Sequence, residues 1–347
     1  MKCSIVLSTV VSLVLVPIVQ AGQSTPARVG PRTTTLAISP ALLSTGDGVS
    51  LLVKPADQTD GDAVPLYRQA VQAMPTNINT GQLRDRAQEP LDASVLDEVE
   101  AFLRRAQPCL ELIDKATRCK ECNWPAFVAN QQPANLSEYR LLTYMVLLKA
   151  RSEIAAGQCD EAVGTVRMGM TMARQIGEAP TLVQGLVGVA MAAVMMRGVD
   201  DLAQAPNSPN LYAALKALPR PLIDVEESIA SELSALESNT QYSQSVREVM
   251  REQMEPAYER VRQLSERSIS EIGARECVEA IRHYAATHDG ALPAQLSDIK
   301  GVDLPEDPVT NKPYTYRVKD GQAIVETGVP EGGSAREAMR FDITVSR

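Results

Sequence analysis

The 347-residue sequence contains few aromatic side chains and few histidines. Only 4% of residues are aromatic, with one tryptophan and three phenylalanines, and the chain has two histidines. A core must therefore be built from Ala, Val, Leu, Ile and Met, which pack best as helices. His283 and His288 are five positions apart, so they lie on different faces of a helix. We therefore expect no zinc site.

The sequence also lacks the positive charge that a nucleic-acid binder needs. It carries 34 basic and 43 acidic side chains, a formal net charge of -9, with a pI near 5.0. No long Lys/Arg run interrupts this acidic balance. Phosphate contacts supply most non-specific affinity for nucleic acid, so we expect no nucleic-acid partner.

Recognisable catalytic motifs are missing as well. The sequence has no Gly-x-Ser-x-Gly and no Gly-Lys-Ser/Thr, and Gly185 and Gly188 lie in a helical pattern without a preceding strand. Neighbouring acids such as Asp200-Asp201 and Glu226-Glu227 point about 100° apart on a helix, so we expect them to be solvated. The pattern predicts no catalytic residue, no cofactor and no bound metal, which favours a non-enzymatic protein.

The N-terminus has the pattern of a secretory signal over residues 1–21. Lys2 precedes an apolar run from Ile5 to Val16, and Val19–Ala21 supplies the small residues that a signal peptidase reads. Cleavage after Ala21 would leave an exported protein of the bacterial periplasm or exterior, with no stable membrane span. The alternative is a retained anchor, although the run is shorter than the roughly 18–20 residues that span a bilayer.

Export makes disulfides the expected state of cysteines. Five cysteines follow the signal, which permits at most two bridges and one free thiol. We predict disulfides among Cys109, Cys119, Cys122 and Cys159. The Cys119–Cys122 spacing also matches a redox motif, but it follows a helical run instead of a strand.

The sequence divides into a flexible linker over 22–61, an α-helical array over 62–271 and a small α+β module over 272–347. The linker is rich in Thr, Ser, Pro, Gly and Asp. Apolar periodicity predicts helices over 63–74 and 92–107, with a kink or restart at Pro108.

Three further features of the array carry predictions. The run Leu182–Met196 indicates a buried helix whose small residues allow close backbone approach. Met250, Met254, Ala257, Val261 and Leu264 form a coiled-coil-like seam, and Pro256 within it argues against one continuous rod.

One turn in the array has a recognisable pattern. The segment Ala155–Ala162 resembles the inter-helix turn of a tetratricopeptide unit, with Gly157 in the turn and Asp160 available as a cap. No repeat of about 34 residues extends this resemblance. The fold class is therefore mainly α, an irregular array of α-hairpins that is tetratricopeptide-like in one hairpin.

The C-terminal module has a clear β-hairpin pattern. Asp320-Gly321 separates two alternating segments, Tyr314–Lys319 and Gln322–Thr327, which places Val318 opposite Ala323 and Tyr316 opposite Val325. Phe341, Ile343 and Val345 indicate a third strand. Preceded by a helix that ends at Asp289-Gly290, these segments predict one helix on one small antiparallel sheet.

This module resembles the globular end of the major pseudopilins of type II secretion. The resemblance rests on Gly290–Pro293, Asp307-Pro308 and Asn311–Arg317 entering the hairpin, and it covers about one fifth of the chain. The family's methylated N-terminal helix is replaced here by the signal pattern. The calcium site that such pseudopilins carry does not map onto this sequence residue by residue. Asp303, Glu306 and Asp307 are the candidates for it, and loop solubility and turn capping are their alternative roles.

The whole chain resembles a group of exported bacterial helical proteins without an assigned activity. Asp62–Arg68, Cys122–Trp124 and Glu178–Val183 carry this resemblance. Three functions remain open. The favoured one is an exported non-enzymatic interaction or scaffold protein with a protein partner in the cell envelope. The others are an accessory component of a secretion or pilus-like apparatus, and a thiol oxidoreductase or hydrolase without a recognisable motif.

Overall fold

The computed structural model describes residues 30–44, 49–88, 91–92, 94–125 and 136–346. The predicted signal segment, 1–21, lies outside these residues. Within them the protein is mainly helical, with a small sheet that includes antiparallel strands in the C-terminal part. The described α-helices are α1 (Ala63–Gln72), α2 (Thr80–Arg86), α3 (Leu96–Thr117), α4 (Leu136–Ala155), α5 (Cys159–Gly177), α6 (Leu182–Gln204), α7 (Tyr212–Lys216), α8 (Val225–Ser238) and α9 (Gln244–Thr287).

Helices α4, α5 and α6 form the centre of the helical core. Their buried residues are mostly aliphatic or Met, as the shortage of aromatic residues predicted. The predicted turn between α4 and α5 is confirmed, with Gly157 at a φ of +76°. Asp160 does not cap α5, because the helix already begins at Cys159 and places Asp160 in its first turn.

Helix α6 combines the length and composition of a membrane span with extensive burial. It is the one described helix that is long and apolar enough to cross a bilayer, and 56% of its most apolar window is buried inside the protein. The predicted close approach is confirmed at Gly188, where an added Cβ would lie 2.5 Å from Gly177 Cα and 2.7 Å from Ala173 O. The small residues of α6 therefore bring its backbone against α5.

Two helices continue through prolines that were expected to interrupt them. Pro108 lies inside α3 and Pro256 inside α9, so neither helix restarts at its proline, and the kink at Pro108 or bend at Pro256 stays a prediction. A proline removes one helix hydrogen bond, which leaves the carbonyl four residues earlier without its donor. Pro108 and Pro256 are exposed, as are Arg104 and Glu252 four residues before them, so water can bond these carbonyls.

The described strands are β1 (Arg32–Ile38), β2 (Thr59–Asp62), β3 (Cys119–Glu121), β4 (Glu306–Asp307), β5 (Lys312–Pro313), β6 (Thr315–Lys319), β7 (Gln322–Glu326) and β8 (Met339–Val345). Four of these strands form the main sheet, in the order β1-β8-β7-β6. The predicted hairpin is confirmed, with Tyr316 opposite Val325 and Val318 opposite Ala323. Asp320 and Gly321 both adopt positive φ, as a type I′ turn requires.

The first strand corrects the prediction of a linker over 22–61. Residues 32–38 pair in parallel with β8, from Arg32 opposite Met339 to Ile38 opposite Val345. Leu36 and Ile38 are buried in the core of the sheet. Successive threonines favour a strand, and the alternation that ends in Leu36 and Ile38 provides a buried face. The abundance of Thr, Ser, Pro, Gly and Asp in the segment favoured the prediction of a linker over that of a strand.

Helix α9 joins the two predicted folded regions without a break. It runs from Gln244 to Thr287, so the boundary expected between 271 and 272 falls inside one helix. Its last turns pack on the sheet through Cys277, Val278 and Ile281. The predicted arrangement of a helix on a small sheet is therefore present, but β1 adds a fourth strand from the other end of the chain.

Candidate functional site

The predicted disulfides are absent, because all five described cysteines are free thiols. Each of three thiols points at a backbone carbonyl. Cys119 Sγ lies 3.5 Å from Lys115 O, Cys122 Sγ lies 3.4 Å from Gln175 O, and Cys159 Sγ lies 3.6 Å from Pro206 O. Cys109 is fully buried in α3. The prediction of bridges among these four residues is therefore wrong, because helix and strand packing aims the sulfurs at carbonyls.

The environment of the thiols opposes nucleophilic chemistry. Burial raises the pKa of Cys109 and of Cys122 to about 12, and it also raises the pKa of Cys119 and Cys159. The carboxylate of Asp62 adds to this effect at Cys122. A thiol must ionise to attack a disulfide, so these protonated groups are poorly suited to redox catalysis at neutral pH.

Gln175 organises the surroundings of the Cys119–Cys122 segment. Its side-chain oxygen accepts a hydrogen bond from the buried Tyr67 hydroxyl, and its Nε2 donates to Cys119 O at 3.4 Å. Its backbone oxygen accepts from Trp124 Nε1 at 2.8 Å. These hydrogen bonds of Gln175 connect α1, α5 and β3. No sequence pattern marked Gln175, because its partners are 51–108 residues away.

The candidate calcium residues do not converge on a cation site. Asp307 Oδ1 accepts from Ser270 Oγ at 2.7 Å and from Val309 N at 3.0 Å, while its Oδ2 accepts from Gly328 N. Asp303 forms an ion pair with Lys216 at 2.9 Å. Over the described part of the chain, no group of three or more His, Cys, Asp or Glu side chains is placed to hold a metal. Asp307 is therefore a structural residue that orders its loop.

The two histidines have ordinary structural partners. His283 Nδ1 accepts a hydrogen bond from Leu43 N at 3.3 Å, and the ring of His288 stacks on Tyr284 with centroids 3.8 Å apart. His288 Nδ1 also lies 2.9 Å from Thr287 Oγ1 and 3.0 Å from Tyr284 O, and none of these contacts includes a carboxylate. The described geometry therefore gives these rings no triad partner.

Buried ion pairs join α6 to its neighbours and correct a further expectation. Asp200 accepts two hydrogen bonds from Arg275, both at 2.8 Å, and Asp201 accepts one from Arg151 at 2.7 Å. The side chains of Asp200 and Asp201 are only 10% and 19% exposed, so the prediction that they are solvated is wrong. Glu226 and Glu227, by contrast, are exposed as predicted.

A second buried pair lies farther along α9. Glu279 accepts two hydrogen bonds from Arg282, at 2.8 and 3.0 Å, and Arg282 also donates to three backbone carbonyls. Burial raises the pKa values of Asp200, Asp201 and Glu279. Each carboxylate is already bonded to a guanidinium, so these groups serve packing and orientation.

A groove of about 840 Å³ lies between α3 and the α4–α5 hairpin. One wall is the face of α3 from Glu100 to Arg118, and the other is the end of the hairpin around Lys149–Met168. Apolar side chains, among them Leu103, Leu110 and Met168, line its interior. The groove is therefore long, open and mixed in polarity.

Most charged groups of the groove are already bonded within the protein. Arg118 donates two hydrogen bonds of 3.0 Å to Asp114, and Arg167 donates to Ser50 O at 3.0 Å. Lys149 pairs with Glu153 and donates to Thr165 Oγ1 at 2.9 Å. Glu153 Oε2, by contrast, is buried and has no hydrogen-bond partner. This oxygen can accept an N–H group from a ligand.

A smaller cavity, of about 150 Å³, lies between α2 and α3. Arg86 and Gln82 on its wall both bond to Glu98. Its volume accommodates only a few atoms. The large groove is therefore the better candidate site.

Comparisons of this chain with protein-family models, with curated proteins and with solved structures found no match.

Proposed function

We propose that this protein is an exported, non-enzymatic interaction protein of the bacterial cell envelope that binds a segment of a partner protein in the α3–α4–α5 groove. The groove itself carries the proposal, since it is concave, mixed in polarity and open along its length. Most of its charged side chains are already bonded within the protein, among them Arg118 with Asp114 and Lys149 with Glu153. Such a surface is suited to recognition.

The dimensions of the groove fit a polypeptide. The face of α3 from Glu100 to Arg118 extends about 27 Å at 1.5 Å per residue. About eight residues of extended chain, or a helix of about 18 residues, cover that length. A compact metabolite would fill only part of it. The occupant is therefore a peptide segment of a protein.

The lining indicates what the peptide carries. Leu103, Leu110 and Met168 provide apolar contacts for alternate side chains of the segment. Glu153 Oε2 requires a donor, since an unpartnered buried oxygen costs about 1–3 kcal/mol. A backbone N–H or a basic side chain of the peptide supplies it.

A displayed library of peptides of about 12 residues tests the proposal. The folded protein is the bait, and the variant Leu103→Arg is the counter-selection bait, because an arginine on the groove wall blocks the apolar contacts. We expect enriched peptides that share apolar spacing, bind with micromolar affinity and lose at least about tenfold affinity for the variant. Calorimetry measures the affinities.

Val318→Arg is the matched control, since Val318 is 41% exposed and lies on the sheet, away from the groove. This variant should bind the selected peptides as the unchanged protein does. Peptides that bind Leu103→Arg equally well, or a selection without enrichment, would overturn the groove as the binding site.

We propose that the α4–α5 hairpin is tetratricopeptide-like. Gly157 at positive φ makes the turn possible, and the fully buried Ala162 on α5 lets the two helices approach closely. In proteins built from such hairpins, stacked units create concave surfaces for peptides. This local resemblance supports the binding role of the groove.

A second candidate function is an accessory role in a secretion or pilus-like apparatus. It is supported by the C-terminal module, in which the end of α9 packs on a sheet whose outer face is polar. Deletion of the module would also remove the partner strand of β1, so it is not a clean test. Arg317→Glu with Lys319→Glu changes only exposed side chains. Loss of association with the apparatus would support this role, and unchanged association would refute it.

A further inference from the structure

The end of the α8–α9 hairpin projects from the rest of the protein. None of the residues 230–257, which we call the tip hairpin, is buried. At its base, Glu232 accepts a hydrogen bond from Leu182 N at 2.9 Å, and Tyr258 is fully packed in the core. Beyond these anchors, Leu233 and Met254 are the hydrophobic side chains of the tip hairpin that pack against the core, and both are only partly buried.

An apolar strip on α9 has no partner in the structure. Val246 is 43% exposed and Val249 is 51% exposed, and their spacing of three places them on neighbouring positions of one face. They are two of the five large hydrophobic side chains that are exposed in the described part of the chain. A strip of this kind at the end of a projecting hairpin is typical of a contact surface.

An acidic row lies about 120° around α9 from this strip and comes nearest to it at Glu252. Glu248, Glu252, Glu255 and Glu259 follow steps of four, three and four residues, so they share one face of α9, and all are exposed. Glu255 and Glu259 lie 3.2 and 3.7 Å from Arg262. No ion pair among the described residues includes Glu248 or Glu252. These two carboxylates remain available to a partner.

The arginines of the tip hairpin do not neutralise the row. Arg251 pairs with Glu237 of α8, and Arg247 donates to the carbonyls of Asn239 and Tyr242 in the connecting loop, both at 3.0 Å. Residues 224–262 contain nine acidic and four basic side chains, a net charge of -5 out of -9 for the whole chain. About a ninth of the sequence therefore carries more than half of its net charge.

We propose that the strip and the acidic row of the tip hairpin form a docking surface for a basic amphipathic helix of another protein. The apolar face of such a helix covers Val246 and Val249, a Lys or Arg beside that face meets Glu252, about 60° from Val249 on α9, and Glu248, farther around, adds to the negative field. Charge complementarity decides the occupant, because a second copy would bring a second charge of -5 against the first. An anionic membrane is disfavoured for the same reason.

Fluorescence anisotropy with a synthetic helix tests the proposal on the full chain. The probe is a labelled peptide of about 18 residues made of Leu, Lys and Ala, with Leu on one face and Lys beside it. We expect saturable micromolar binding that weakens as salt rises. A peptide of the same pattern with Glu for Lys should not bind.

Two variants locate the contact. Glu248→Gln with Glu252→Gln should weaken binding at least about fivefold, and Val246→Ser with Val249→Ser at least about threefold. All four residues are exposed, so the fold should be retained, and circular dichroism checks it. The control is Asp320→Asn with Glu331→Gln, which removes the same charge from exposed loops of the C-terminal module, away from both proposed surfaces, and should change binding less than about twofold.

Equal weakening by the control variant would mean attraction by net charge alone and would overturn the proposal, as would the absence of saturable binding. Sedimentation velocity provides the remaining check. A concentration-dependent dimer that Val246→Ser with Val249→Ser disrupts would identify the occupant as a second copy and refute a basic partner. The peptide selection on the groove is independent, so failure of one proposal leaves the other standing.

Discussion

Gly188 shows how one residue sets the distance between two helices. A Cβ at this position would lie 2.5 Å from Gly177 Cα and 2.7 Å from Ala173 O, both backbone atoms of α5. Backbone cannot move aside as the end of a flexible side chain can. The packing of α6 on α5 therefore requires the absence of a side chain here.

Gly188→Ala should lower the free energy of unfolding by about 1–3 kcal/mol, because the added methyl group forces α6 away from α5. Urea denaturation measures the change. Gly164→Ala is the matched control, since nothing lies within 4 Å of a Cβ at that helical position. It should be neutral or stabilising by up to about 1 kcal/mol. Equal destabilisation by both variants would contradict the close approach.

His283 makes one contact of the strap 39–44 sensitive to pH. Its Nδ1 accepts the hydrogen bond of Leu43 N, which only the neutral ring can do. Burial lowers the pKa of His283, and the charge of His288 lowers it further. The unfolded chain therefore binds the proton more readily, so this contribution to stability is present above the unfolded pKa and is lost as the pH falls through the lowered pKa.

Protection of the Leu43 amide from hydrogen exchange should therefore decrease between pH 7 and pH 5, after correction for the intrinsic exchange rate. His283→Asn retains an acceptor that does not titrate, so its protection should stay constant over this range. A parallel loss of protection in both proteins would show that another group controls the strap.

The free thiols give a direct chemical prediction. Five cysteines of the described chain should react with a thiol reagent after denaturation without any reductant, because none is bridged. In the native protein their reaction should be slow, because burial keeps Cys109 and Cys122 protonated, with pKa values of about 12. Titration of fewer than five thiols in the denatured chain would mean that a disulfide is present.

At the scale of single elements, α9 combines a packed half with a projecting half. Its C-terminal half is buried against α7 and the sheet, while residues 244–257 have no buried member. Helix formation in the projecting half relies on α8, on Ser243 as the N-cap, whose hydroxyl accepts from Val246 N at 3.3 Å, and on the Arg251–Glu237 pair. We expect this half of α9 to open locally before the core does.

Pro256→Ala should raise the local opening free energy of the tip hairpin by up to about 3 kcal/mol, because it restores one helix hydrogen bond and removes a steric conflict. Hydrogen exchange of the amides around 248–256 measures this change. Pro256→Gly restores the same donor but should gain about 1 kcal/mol less. No change in either variant would mean that Pro256 does not limit the local stability of the tip hairpin.

For the whole molecule, β1 links the beginning of the described chain to its end. Arg32 and Met339 are paired although more than 300 residues separate them, and Arg32 also forms an ion pair with Glu271 of α9. Ser39 N donates to Ala203 O at the end of α6. The C-terminal module and the helical core therefore share elements, and we expect a single cooperative unfolding transition.

Leu36→Ala should lower the stability of the whole protein by about 2–5 kcal/mol, because Leu36 is 1% exposed in the core of the sheet. Calorimetry should show one transition at a lower temperature. Leu42→Ala is the control, since Leu42 is 62% exposed, and its effect should stay within about 0.5 kcal/mol. A separate low-temperature transition for the sheet would contradict shared cooperativity.

Elements with strong local signals were predicted closely from the sequence. Asp320-Gly321 predicted the hairpin and its register, and the helix that ends at Asp289-Gly290 was correctly placed. Helices α3 and α9 continue through Pro108 and Pro256 instead of restarting there, because solvent exposure, which the sequence does not show, decides whether a carbonyl that lacks its donor is tolerated. From the sequence, a groove could be expected only as a general feature of helical arrays, and the residues that line it could not be named.

The sequence by itself determined the mainly helical class, the aliphatic and Met-rich core, the hairpin and the concentration of negative charge near residues 224–262, since each depends on neighbours along the chain. Only the tertiary structure decided that residues 32–38 complete the sheet, that Cys122 and Cys159 point at carbonyls and that Asp200 is paired with Arg275. These contacts join residues 47 to 307 positions apart, or depend on which side of an element faces the core. No local pattern encodes either property.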